Sequence, residues 1–189
     1  MSKLETNTID TISGSTNLTL GGTNATDITI PSGVTITNNG TQSGFGGTNT
    51  PAFKANMSGA QSFSQNATFK VDFDTEVFDT DSAFDASTNY RFTVPSGKAG
   101  KYLFFGQAKI RSDSSNYLRQ AAVYLYKNGG GITNSVFYES DYVLETTLNF
   151  SYADNASVGD YYELYAKGTT GSGTYNIGSG LFGATFLIT

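Results

Sequence analysis

The chain has no cysteine, no histidine and no tryptophan in 189 residues, and only 3 prolines. Without cysteine there is neither a disulfide framework nor a thiolate metal site, so stability has to come from packing or from association between chains. Without histidine the Ser-His and Cys-His nucleophile pairs, imidazole-bound zinc and the side chain best suited to proton transfer near neutral pH are excluded. Two carboxylates could still serve a glycosidase, but among 16 acidic residues some pair always falls at a plausible distance, and no cleft motif accompanies one. No catalytic residue is assigned, and a polysaccharide depolymerase is the least favoured function. Basic residues are also few: 11 of them are scattered through a chain of net charge −5, whereas a phosphate backbone requires clustered Lys and Arg. Nucleic acid is therefore not expected as a partner. No stretch of about 18 apolar residues occurs. Met1-Ser2-Lys3-Leu4-Glu5 lacks the apolar core of a signal peptide, so the expectation is a soluble chain without a secretory leader.

What is present favours strands and turns. Glycine is abundant at 22, Thr, Ser and Asn dominate the polar set, and 12 Tyr and 14 Phe supply most of the bulky apolar surface. Residues 1–50 contain a single aromatic, Phe45. There Leu18-Thr19-Leu20, Ile28-Thr29-Ile30 and Val34-Thr35-Ile36 place aliphatics on one side of short strands, with Gly21-Gly22, Pro31-Ser32-Gly33 and Asn38-Asn39-Gly40 as turns between them. A ribbon with so little apolar surface cannot offset its ordering entropy alone. Residues 1–50 therefore read as an attachment and stalk segment intertwined with identical chains, the alternative being a flexible Gly/Ser/Thr linker. Pro51 opens the second region, residues 51–189.

In that region the pattern predicts nine strands, over 52–57, 68–73, 90–94, 101–110, 121–127, 136–138, 146–152, 161–167 and 182–188, with no helical period. The fold class is all-β, a two-sheet sandwich. Tyr102, Phe104, Gly106, Ala108 and Ile110 alternate as one buried face. Tyr161-Tyr162-Glu163-Leu164-Tyr165 and the run from Leu181 to Ile188 carry aromatic or aliphatic residues on both faces, which predicts a second buried surface between subunits.

The residues that carry a resemblance are Pro51-Ala52-Phe53-Lys54-Ala55, Phe69-Lys70-Val71-Asp72-Phe73, Phe84 through Val94-Pro95, and Gly100-Lys101-Tyr102-Leu103-Phe104-Phe105. They continue with Leu125-Tyr126-Lys127-Asn128-Gly129, Val158-Gly159-Asp160-Tyr161-Tyr162-Glu163-Leu164 and Phe182-Gly183-Ala184-Thr185-Phe186. In this order they resemble the C1q-like domain, which implies a ten-stranded jelly roll of the tumour-necrosis-factor type assembled as a homotrimer. One extra residue between Phe84 and Phe92, and a longer turn at Ser96-Gly97-Lys98, depart from the family's spacing. The segment from Leu4 to Asp10, with Gly21 to Val34, is similar to the openings of structural proteins of marine bacterial viruses, notably those of cyanobacteria. Together the two resemblances imply a virion surface protein, on tail or capsid, whose N-terminal segment meets other virion proteins. Its knob would adhere to a host-surface glycan or outer-membrane protein; a capsid decoration fibre is the alternative.

Two groups of residues are candidate sites. The acidic run Asp72, Asp74, Glu76, Asp79, Asp81 and Asp85 offers hard oxygen ligands, with Asp79 and Asp81 as the candidates for Ca²⁺, although no EF-hand pattern is present and the alternation fits a solvated strand face. Calcium is the one cofactor considered. Strand alternation delivers every second loop to one end of a sandwich, so loops 112–119, 139–145 and 168–173 should share the end away from the stalk. Asn116, Tyr117, Arg119, Asp141, Tyr142, Thr170 and Ser172 are the receptor-contact candidates there.

Overall fold

A computed structural model describes residues 32–35, 49–113, 117–132, 137–139 and 142–187, with 137–139 by backbone alone. The chain divides into two units, residues 1–45 and 46–189. Of the first unit only the exposed turn at 32–35 is described, so the strands expected at 18–20 and 28–30 lie outside the described residues.

The second unit is an all-β sandwich of two antiparallel sheets, with no helix among the described residues. Its strands are β1 (Ala52–Asn56), β2 (Gln61–Ser64), β3 (Thr68–Lys70), β4 (Thr75–Asp79), β5 (Phe84–Asp85), β6 (Arg91–Thr93) and β7 (Gly100–Ser112). They continue as β8 (Leu118–Lys127), β9 (Gly130–Gly131), β10 (Phe137–Glu139), β11 (Glu145–Ala156), β12 (Tyr161–Thr170) and β13 (Thr174–Phe186). Sheet one runs β11-β7-β13-β1-β4 with β2 beside β13; sheet two runs β10-β8-β12-β6-β5 with β3 beside β12 and β9 beside β8. The ten strands of the two main paths are the expected jelly roll, and β2, β3 and β9 are short additions. The long strands β11, β12 and β13 alternate between the sheets, so their connections cross the two ends of the sandwich.

The core between the sheets is mainly aromatic, in keeping with the composition. Phe53 stacks on Phe84 at 4.6 Å and Phe92 at 5.1 Å and meets Phe182 edge-on at 5.2 Å. Phe104 stacks on Tyr162 at 4.1 Å. Each such pair adds about 0.5–1.5 kcal/mol beyond the area it buries. The buried alternation of β7, with Tyr102, Phe104, Ala108 and Ile110 inward, is the one read from sequence.

Several boundaries differ from expectation. The run 68–73 is strand only to Lys70, because Val71 N bonds Leu164 O at 2.9 Å while the Gln61 side chain captures both backbone groups of Asp72. The last strand spans Thr174–Phe186 rather than starting at 182, since Gly178 and Gly180 interrupt its apolar pattern while its pairing to β7 continues on both sides of a register shift at Gly178. Ser112 and Arg119 belong to β7 and β8 rather than to a loop, and Thr170 ends β12, which leaves 171–173 as the last turn. At the two departures from family spacing, Asp85 accepts hydrogen bonds from Ser87, Thr88 and Asn89 and Tyr90 takes a left-handed φ of 46°, while Lys98 N bonds Pro95 O across Gly97 at φ 73°.

Candidate functional site

The described start of the head fixes which end of the sandwich is which. Thr185 Oγ1 donates to Asn49 O at 3.4 Å, Lys98 Nζ donates to Thr50 O at 3.1 Å, and Phe186 N bonds Pro51 O at 3.0 Å. Residues 49–51 therefore lie at the end where β7 begins and β13 finishes. The opposite, distal end collects the turn 65–67, residues 113 and 117, residues 142–144 and the turn 171–173.

Hydrogen bonds knit these segments together. Leu118 N donates to Val143 O at 2.7 Å and Val143 N returns to Leu118 O at 3.3 Å, while Ser112 N reaches Leu144 O at 2.9 Å. Asp113 accepts from Thr174 Oγ1 at 2.5 Å and Asn176 Nδ2 at 2.9 Å, and these donors hold its carboxyl below the usual range. Asn66 N donates to Gly168 O at 3.0 Å. This framework presents Tyr142, Leu144 and Tyr117 with 69%, 53% and 51% of their surface exposed, an unusual density of large apolar side chains for a solvated end.

Of the seven contact candidates, Tyr117 and Tyr142 stand exposed on adjoining segments, and Ser172 is exposed in the 171–173 turn. Arg119 is exposed but projects from β8 rather than from a loop. Thr170 is a correction: it is 3% exposed, with its hydroxyl tied to Gln65 Oε1 at 3.2 Å and Ser172 O at 3.0 Å. Its place at the end of a strand facing the core turns it inward. Asn116 and Asp141 lie outside the described residues. Sequence reasoning missed Leu144, which followed Tyr142-Val143 as an apolar pair, and the 65–67 turn, which Asn66 at φ 66° could have signalled.

The acidic run is spread over several turns. Asp74 accepts from the backbone and hydroxyl of Ser58. Asp79 accepts from Phe84 N at 2.7 Å and Asp81 N at 3.3 Å; Asp81 accepts from Thr80 Oγ1 at 2.6 Å and faces Lys98 at 3.9 Å. The two calcium candidates thus serve as hydrogen-bond acceptors here, and no group of three or more Asp or Glu suited to a metal occurs among the described residues. A cleft of about 330 Å³ beside Asp81, Phe84, Asp85 and Pro95 holds no further titratable residue.

A charge network closes the proximal end between the sheets. Lys127 Nζ meets Asp154 and Asp160, each at 3.0 Å, and Tyr162 OH donates to Asp154 at 2.6 Å. Burial alone would raise Asp154, but the Tyr162 and Lys127 contacts outweigh it and the net shift is downward. Asp160, bonded by Asn128 Nδ2 and Ser157 N, drops to about 2. Both folded-state values lie below the ordinary 3.8, so their contribution to stability is complete above about pH 4 and disappears as pH falls through the folded values. The urea midpoint should be flat from pH 7 to 5 and decline steeply between about pH 4 and 2. Asp154→Asn should lower the midpoint at pH 7 and weaken the acid dependence, a comparison read directly from paired titrations.

No protein-family profile and no curated protein matches the sequence. Solved structures do match in shape. The globular domain of zebrafish complement 1qA protein is 16% identical, covers 72% of this chain and 97% of its own, and gives a TM-score of 0.49. Murine APRIL is 11% identical with coverage of 72% and 99% and a TM-score of 0.49. Eiger TNF from S. frugiperda is 15% identical with coverage of 72% and 91% and a TM-score of 0.48.

Proposed function

We propose that the chain is a trimeric knob on the surface of a bacterial virus, which uses its distal end to adhere to the host envelope. The observation that carries the reading is the outward face of sheet one. Alternation and register place Leu103 and Phe105 of β7 and Leu181 of β13 on that face, half-buried, with Gly183 flattened beneath the Phe105 ring and Phe78 46% exposed at the β4 edge. A sheet face of this kind is stabilised when other copies cover it. With sheet one turned to a threefold axis, the distal Tyr117, Tyr142 and Leu144 would be displayed in three copies, and weak contacts with a surface glycan or outer-membrane protein would multiply through avidity. Virion placement rests on the N-terminal resemblance.

The solution mass of the full-length protein by light scattering tests the assembly, with three times the 20.1 kDa of one chain expected and a single chain overturning it. Adhesion is tested by labelled full-length protein on intact marine cyanobacterial cells. The double variant Tyr117→Ala, Tyr142→Ala should lose at least about tenfold in cell binding, since exposed aromatic anchors carry most of the energy of such contacts. Unchanged binding by that variant would remove the distal end from the reading.

A further inference from the structure

The outward face of sheet two carries a second feature. Register places Tyr161, Glu163, Tyr165 and Lys167 in succession along β12, beside Tyr126 and Tyr124 on β8, Lys70 on β3 and Arg91 on β6. The outward positions of an exposed antiparallel sheet are ordinarily filled by Thr, Lys and Glu. Here Tyr126 and Tyr165 stack at 3.9 Å, the Arg91 guanidinium lies 4.3 Å over the Tyr161 ring, and Lys70 pairs with the buried Glu163 at 3.1 Å. Burial, then the Glu163 charge, push the Tyr165 hydroxyl upward, so it stays a neutral donor.

We propose that this strip is a lateral binding surface for an acidic polysaccharide, a polyuronate chain lying along β12. Three observations converge on that occupant. Tyrosines held against one another expose rigid apolar edges and hydroxyls at little entropic cost, which suits the mixed C–H and O–H surface of sugar rings. The glycine arm formed by Gly129 and β9 flanks the row without side chains: Gly131 lies against the Tyr126 ring and Gly129 beside the Tyr161 hydroxyl, so this arm itself puts no side chain in the way of a polymer. The charges also fit. The chain as a whole carries −5, yet among the described residues Lys167 has no ion-pair partner, and the Arg91 guanidinium lies over the Tyr161 ring. Among the described carboxylates nearby, Glu163 is paired with Lys70, Asp85 stays anionic across from Arg91 with its oxygens held in its own turn by Ser87, Thr88 and Asn89, and Asp72 lies next to Lys70 at the margin. From Tyr161 to Lys167 the strip is about 20 Å long, enough for a short oligosaccharide.

The inference rests on the proposed assembly only in that a trimer closed through sheet one leaves sheet two outward. Affinity electrophoresis of the full-length protein through gels containing sodium alginate, with dextran as the neutral polymer, tests it. Alginate should retard the protein, less so as salt rises, and dextran should not. Lys167→Glu should weaken alginate binding about fivefold and Tyr165→Ala about tenfold. The Tyr117→Ala, Tyr142→Ala protein should bind alginate like the wild type. Absence of retardation, equal retardation in dextran, or an unaffected Lys167→Glu protein overturns the proposal, as does loss of alginate binding in the distal variant. Because Lys167 is on the surface, its variant carries the test even if Tyr165→Ala fails to fold. A monomeric mass in light scattering would sink the trimer without touching the alginate result, so the two failures are distinguishable.

Discussion

Gly168→Ala is expected to destabilise the head by about 3 kcal/mol or more, the reverse of what the substitution does in most strands. In a strand interior, alanine normally gains by restricting the unfolded chain. At position 168 a Cβ would sit 2.5 Å from Tyr175 Cγ and 2.8 Å from two further Tyr175 atoms. That ring cannot retreat. Tyr175 is fully buried, its hydroxyl donates to Ala166 O at 3.0 Å and Ala67 O at 3.1 Å, and Phe63 packs against it at 5.6 Å. Relief would require β12 and β13 to separate, which would also disturb the Asn66 N to Gly168 O bond that secures the distal turn. Gly59→Ala is the control: a Cβ there meets nothing within 4 Å, and the change should stay within about 0.5 kcal/mol. Urea unfolding at one fixed protein concentration measures both. A Gly168→Ala midpoint equal to that of Gly59→Ala would mean that the two sheets yield more readily than their packing implies.

This glycine shows why part of the structure was legible in the sequence and part was not. Alternation in β7 revealed its core face because Tyr102, Phe104 and Ile110 point inward between outward Lys101, Gln107, Lys109 and Arg111. Gly168 and Gly180 instead look like turn residues in one dimension, and only the ring or strand lying against each explains why no side chain fits there. The same blindness shortened the last strand and stretched the loop before it. The run Tyr161 to Tyr165 carries aromatics on both faces: Tyr162 is in the core as alternation requires, while the outward Tyr161 and Tyr165 stay partly exposed, packed against Arg91 and Tyr126 of their own chain. Cross-strand neighbours from distant sequence decided that outcome. At the distal end, loop position foretold Tyr117 and Tyr142 as exposed, but whether Thr170 pointed in or out depended on a one-residue count along β12 that sequence boundaries cannot resolve.

Leu181→Arg should convert the protein from an assembly to a single chain while preserving its fold. Leu181 faces outward on β13, opposite Asn56 of β1 and Gln107 of β7, and is only partly covered within its own subunit. An arginine at that position can extend into water in an isolated head, so the far-ultraviolet circular dichroism of the variant should match the wild type. In a trimer closed through sheet one, each subunit would instead bury a guanidinium with no carboxylate opposite it. Glu145, on the outward side of β11, is already paired with Lys109 at 2.9 Å, and Gln107 is engaged by Asn149 at 2.7 Å. An unpaired buried charge costs at least about 3 kcal/mol per subunit, and a threefold interface incurs it three times, which is enough to abolish association at micromolar concentration. Light scattering should therefore give 20.1 kDa for the variant against three times that for the wild type. The melting temperature should fall and lose its dependence on protein concentration, because mass action no longer stabilises the folded state. A variant that remains a trimer would move the interface off this face, and a wild type that is itself monomeric would mean that Leu103, Phe105 and Leu181 are solvated in the free protein.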